Sequence, residues 1–299
     1  MTAQNPVPDV PLETLDALER AGPATITFTD RENPDRAITL WTFRPDGWAP
    51  GGPLVVVQHG MGRNGWDYRD FWIEPAERHG LLVVTPTFSN EAWPTHDAYN
   101  NGLVRDEACR VRPAASWTYA VLPRILTALA ERASIRPGEA SLYGHSAGGQ
   151  FVHRFLTTQR TMPFARITAA NAGWYTLPTL EADFPAGLGG VGLGEDDLAR
   201  LLAFPLTILA GAEDNATNDT NLPHNPEALA QGPHRFARAH AYYDAGKAEA
   251  ERRGLPFGWQ LVPVPRIGHD GDAMSKVAAS LWFDGTMPDL TRLAGRHAL

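Results

Sequence analysis

The sequence predicts an α/β fold: a mostly parallel sheet of about eight strands with helices on both faces. Three observations carry this reading. Short apolar runs alternate with longer amphipathic ones along most of the chain. Glycine and proline, 28 and 25 of 299 residues, gather between them. No period of about 20 to 50 residues repeats, which removes solenoids and propellers. Residues 24–28 and 37–43 alternate apolar with polar and carry β-branched and aromatic side chains, as strands at a sheet edge do. Residues 54–58, 81–85, 141–143, 167–170, 206–210 and 259–264 are predominantly apolar without a regular polar alternation. A central strand needs that pattern when helices cover both its faces. Between these runs, 67–79 is helix-like and precedes Gly80, suited to a left-handed C-terminal cap. Residues 116–133 open on Ser116, a capping residue type, and place Val121, Ile125, Leu126 and Leu129 at helical spacing. Residues 151–159 and 236–253 read similarly, the second ending before Gly254. No linker divides the chain, so one domain over 1–299 is expected, with 173–204 as a small insertion over one end of the sheet.

Composition narrows the function. Hydrophobic residues at 43% and charged residues at 20% suit a soluble globular chain. A net charge of −8 without a Lys/Arg-rich run argues against nucleic acid as partner. No apolar run approaches the ~18 residues that span a bilayer, so no membrane association is expected. The polar, proline-dotted stretch 1–13 lacks the basic and apolar blocks of an export signal. The single cysteine, Cys109, rules out an internal disulfide and a cysteine-built zinc site, and is expected to be a small buried hydrophobe. A cytoplasmic location follows as the expectation.

The chemistry concentrates at Gly144-His145-Ser146-Ala147-Gly148, a Gly-x-Ser-x-Gly run between a predicted strand and a predicted helix. A serine on so sharp a turn is pushed out above the sheet, and the following helix aims its N-terminal amides at the same point. Ser146 is therefore the candidate nucleophile. His269, on a short polar turn after 259–264, is the candidate base, because a loop histidine can rotate onto the serine oxygen. His153 and His240 lie inside predicted helices, and His145 is expected to point away from its neighbour Ser146. Asp214 follows the 206–210 strand and is the candidate acid, with Asp219 and Glu213 as rivals. The order Ser146, Asp214, His269 is the one used by the serine-elbow fold. After 54–58 comes His59-Gly60-Met61-Gly62-Arg63, a glycine-rich turn whose backbone can face a ligand. The Met61 and Ala147 amides are the candidate oxyanion donors, and His59 is expected to brace the loop. Arg63, Trp93 and Trp174 are the candidate substrate contacts. No metal or cofactor is implied.

These segments resemble the α/β-hydrolase superfamily, and more closely its poly(3-hydroxybutyrate) depolymerase-like esterases. The resemblance implies an α/β-hydrolase fold and a serine hydrolase acting on carboxylic esters, with Ser146, Asp214 and His269 at the triad positions. A small ester or a hydroxyalkanoate oligomer is the substrate it suggests. An amidase or peptidase using the same groups, or an inactive binding protein on this fold, are the alternatives.

Overall fold

The structure, a computed structural model, describes residues 16–134 and 138–294. The polar stretch 1–13 lies outside the described residues. Eight strands form one sheet: β1 (Gly22–Thr29), β2 (Ala37–Arg44), β3 (Leu54–Gln58), β4 (Leu82–Thr87), β5 (Ala140–His145), β6 (Phe164–Ala170), β7 (Leu206–Gly211) and β8 (Gln260–Val264). Their order is β1-β2-β4-β3-β5-β6-β7-β8. The β1–β2 and β2–β4 pairs are antiparallel, and every pair from β4 to β8 is parallel. The fold is the expected α/β-hydrolase arrangement.

The helices are α1 (Gly65–Phe71), α2 (Ile73–His79), α3 (Thr95–Ala98), α4 (Val121–Ala133), α5 (Ala147–Thr158), α6 (Glu195–Ala203), α7 (Pro226–Gln231), α8 (Arg235–Arg253), α9 (Gly271–Phe283) and α10 (Leu290–Ala294). They cover both faces of the sheet, and β3 shows why its sequence is apolar throughout. Leu54 and Val56 face the layer holding α4, α5, α6 and α8; Val55 and Val57 face the layer of α1, α2 and α9. Each fully buried side chain of this kind contributes about 1.5–3 kcal/mol. Gly80 and Gly254 close α2 and α8 in the left-handed conformation, at φ 64° and 66°.

Four local expectations are corrected. Residues 67–79 form two helices broken at Trp72. Pro75 has no amide to donate and its ring crowds the preceding turn, so it is tolerated only in the first turn of a new helix. Ser116 caps nothing: its hydroxyl donates to the Pro113 carbonyl, and α4 starts at Val121, which places Pro123 in its first turn. The 259–264 run yields an edge strand rather than a central one, and Pro263 fits there because an edge has amide positions outside the ladder. Cys109 is exposed, on a loop with φ 59°. The segment 173–204 splits into a loop and α6, whose Leu198, Leu201 and Leu202 belong to the core. Among the described residues no helix is long and apolar enough to cross a membrane.

Candidate active site

β5 ends at His145 and α5 begins at Ala147, leaving Ser146 alone in the turn at φ 59° and ψ −118°. This conformation is strained for any residue with a Cβ and persists because its surroundings fix it. The Ser146 N–H donates to the Ala170 carbonyl at 3.0 Å, and its carbonyl accepts from the Gln150 N–H at 3.1 Å. The elbow leaves no room for side chains beside it. A Cβ on Gly144 would lie 2.1 Å from the Gly148 oxygen, and one on Gly148 would lie 2.2 Å from the Gln58 oxygen.

Three loop ends converge on the serine. The Ser146 hydroxyl donates to His269 Nε2 at 3.0 Å, and His269 Nδ1–H donates to Asp214 Oδ2 at 2.7 Å. Asp214 is 3% exposed, while His269 keeps 27% of its side chain open to solvent. The loops carrying Asp214 and His269 are stitched together: the Glu213 N–H donates to the Ile267 carbonyl at 2.9 Å. Asn171 takes the Gly211 N–H on its Oδ1 and donates to the Gly268 carbonyl, each at 2.8 Å. Arg235, buried at the start of α8, donates to Asp219 Oδ2 at 2.7 Å and lies 3.5 Å from Asp214 Oδ1. Asp219 is thus engaged by Arg235, Glu213 is exposed, and only Asp214 meets the imidazole.

The amides of Met61 and Ala147 are the expected oxyanion donors. Among the described residues neither N–H is spent on a backbone carbonyl. Ala147 opens α5, so its amide belongs to the partly positive end of that helix. A Cβ on Gly60 would lie 3.7 Å from Ser146 Cβ, which brings the loop holding Met61 alongside the serine. His59 braces that loop as expected. Its Nδ1–H donates to the Gly60 carbonyl at 2.8 Å and its Nε2 accepts the Phe88 N–H at 3.1 Å. Burial holds its pKa down to about 3, so it stays neutral.

His145 packs beside the base. Its ring centroid lies 4.6 Å from that of His269, and its Nδ1 accepts from the Tyr68 hydroxyl at 3.0 Å. Burial, followed by the proximity of His269 and Arg235, keeps it well below the ordinary histidine range. The Tyr68 hydroxyl also meets the Gly60 backbone, tying the oxyanion loop to the histidine pair.

Met61 and Trp174 line a cavity of about 730 Å³ together with Gln150, Asn100 and the Asp183–Ala186 loop. Two expected substrate contacts are corrected. Arg63 turns inward, donating to the carbonyls of Phe88 at 2.5 Å and Thr95 at 2.7 Å with its guanidinium over Tyr99, which leaves it 4% exposed. Trp93 is fully buried in a T-shaped contact with Phe88, with the Arg36 guanidinium over its ring. Sequence inspection missed Asn171, Arg235, Tyr68 and the inward role of His145. Asn171 follows β6 at φ 45°, which suits asparagine, but nothing in sequence spacing singles out the other three.

The chain is 56% identical to LpqC, a poly(3-hydroxybutyrate) depolymerase from Bordetella parapertussis. The match covers 94% of this chain and 95% of that one, with a TM-score of 0.91. The chain belongs to the depolymerase-like serine esterases of the α/β-hydrolase superfamily. Poly(aspartic acid) hydrolase-1 from Sphingomonas sp. KT-1 is 36% identical over 88% of this chain and 98% of its own, with a TM-score of 0.84. An S-formylglutathione hydrolase from Agrobacterium tumefaciens, 18% identical over 90% of this chain and 97% of its own at a TM-score of 0.54, shares the fold. No family model and no curated protein matches the chain.

Proposed function

We propose that this member of the family cleaves carboxylic esters, small or oligomeric, through an acyl-enzyme, with Ser146 as nucleophile, His269 as base and Asp214 as acid. One observation carries the assignment: the hydrogen-bonded row from Ser146 Oγ through the imidazole to a buried carboxylate, at 3.0 and 2.7 Å. His269 Nε2 takes the hydroxyl proton as Oγ bonds to the ester carbonyl carbon. The oxygen that becomes negative is met by the Met61 and Ala147 amides, each of which is worth about 2.7–4 kcal/mol of barrier. The imidazolium, stabilised by Asp214, passes its proton to the departing alkoxide as the C–O bond breaks. Water, deprotonated by the same histidine, then releases the acid and restores Ser146. Trp174 and Met61 border the substrate. The lone cysteine suits a reducing compartment, and we place the enzyme in the cytoplasm.

One observation favours an amide substrate: the 36% identical relative is named as a hydrolase of poly(aspartic acid), an amide polymer. Against it stand the Asp183 and Glu227 carboxylates lining the cavity beside Met61, which repel a polyanion. Ser146→Ala tests the nucleophile. It is expected to abolish p-nitrophenyl butyrate turnover and fluorophosphonate labelling while the thermal transition persists; wild-type-like turnover refutes the assignment. The ratio of p-nitrophenyl butyrate to butyryl-anilide turnover decides ester against amide.

A further inference from the structure

A second cavity of about 620 Å³ adjoins the first, and Asn101, Phe184 and Pro185 form walls of both. The two chambers differ in charge. Among the described residues the first is lined by amides, two histidines, Asp183 and Glu227, with no lysine or arginine. Arg36, Arg105 and Arg112 stand around the second.

Among the described residues none of these three arginines pairs with a carboxylate. Arg36 donates to the Ala92 carbonyl at 2.6 Å. Arg105 donates to the carbonyls of Cys109 and Gly190 at 3.1 and 3.2 Å. Arg112 donates to those of Leu103 and Ser116 at 3.2 and 3.1 Å, and reaches Asn33 Oδ1 at 3.5 Å. A guanidinium has five N–H donors, so each keeps donors beyond these bonds. Of the carboxylates on the same wall, Asp106 is taken by Arg110 at 2.8 Å and Asp97 accepts from the Asn101 amide at 2.8 Å, while Glu107 is exposed. Partial burial and then the proximity of Arg36 lower the Arg112 pKa, while Asp106 acts in the opposite direction.

We propose that this second chamber binds the terminal carboxylate of an oligomeric hydroxy-acid ester, on the leaving-alcohol side of the bond cut at Ser146. The proposal rests on the esterase reading above and names its substrate class. An oligoester of hydroxy acids has a neutral interior and one free carboxylate, matching a chamber without cations followed by one with three. Attack on an inner ester bond leaves the hydroxyl-terminal part of the chain as acyl group on Ser146, so that neutral units of the alcohol half span the first chamber. The alcohol half departs as a hydroxy acid, its carboxylate held by the arginines, and water completes the hydrolysis. A charge-assisted guanidinium–carboxylate contact adds geometric specificity as well as affinity.

The test compares the 3-hydroxybutyrate trimer and tetramer as free acids and as methyl esters, by kcat/KM, in wild type, Arg112→Gln and Arg36→Gln. Wild type is expected to prefer the free acids at least about tenfold, and either variant to bring the ratio near one. Taking the ratio within one protein cancels any general loss of activity. If a variant fails to fold, the wild-type ratio decides: it must exist and must shrink several-fold between about 0.05 and 0.5 M salt. Turnover of p-nitrophenyl butyrate with no preference for the free acids overturns the anion chamber alone. A preference that survives both substitutions overturns its location. Absence of any ester turnover overturns the esterase reading and this proposal with it.

Discussion

Three buried histidines make the fold acid-labile in a defined window. His59, His145 and His153 are each 3% exposed or less. For two of them the hydrogen bonds require the neutral ring: Nε2 of His59 accepts from the Phe88 N–H and Nε2 of His153 from the Thr176 N–H, while Nδ1 of His145 is bonded to the Tyr68 hydroxyl. Burial is the main cause that holds His59 near 3 and puts the other two well below the ordinary 6.5. The unfolded chain takes up protons below about 6.5 that the folded chain refuses, so this stability is complete above 6.5 and drains as the pH falls toward the folded values. At pH 5 the solution is about 1.5 units below the unfolded pKa, so neutral His59 alone is worth about 2 kcal/mol, and His145 and His153 add in the same direction. A folded domain holds about 5–15 kcal/mol in total. Carboxylates that ion pairs hold low, such as Glu249 and Asp197, release their contribution at lower pH and leave the window from 6.5 to 5 to the histidines. Urea unfolding followed by fluorescence of the nine tryptophans, at pH 7, 6 and 5, measures the slope. His153→Gln is expected to reduce that slope. A free energy at pH 5 within about 1 kcal/mol of that at pH 7 refutes the reasoning.

Asp214→Asn turns the imidazole to the wrong tautomer and is expected to lower kcat by about four decades, whereas Asp219→Asn, at a residue hydrogen-bonded to Arg235 and not to the ring, costs about fivefold or less. Equal losses in the two, read by ester turnover, exclude Asp214 as the acid. Gly148→Ala drives a Cβ to 2.2 Å from the Gln58 oxygen, backbone against backbone, and is expected to cost about 1–3 kcal/mol and several degrees of Tm by calorimetry. Arg63→Ala removes a buried clamp on Phe88 and Thr95, so Tm falls while KM for acidic and neutral esters moves alike; a KM rise confined to acidic esters restores the substrate role.

The sheet was legible because its strands are buried on both faces, and continuous apolarity is the direct mark of that burial. The helix ends were less legible. Pro75 and Pro123 reset them, an effect of one ring that hydrophobic periodicity does not register. Within the site, the placement of Ser146, His269 and Asp214 followed from residue type at a strand end, since each strand delivers its loop to the same edge. Arg63 and Trp93 failed for the opposite reason. Their place near a functional loop says nothing of side-chain direction, and both turn inward to satisfy carbonyls or fill the core. Arg235 belongs to a helix remote in sequence from Asp214, and only the fold brings them together.

His145 shows how stability and chemistry share one constraint. Its ring centroid lies 4.6 Å from that of His269, which becomes a cation in the proposed mechanism each time Ser146 gives up its proton. A second cation at that distance raises the energy of the first by about 4 kcal/mol at an effective dielectric of about 20, close to three decades in rate. Burial and the Tyr68 hydroxyl prevent this by keeping His145 neutral as an acceptor. The burial that makes the fold vulnerable below pH 6.5 is therefore what lets the imidazolium form during turnover. A hydrophobic residue at 145 would remove the pH liability, but would leave the Tyr68 hydroxyl, and with it the Gly60 loop, without the acceptor that ties them to the base.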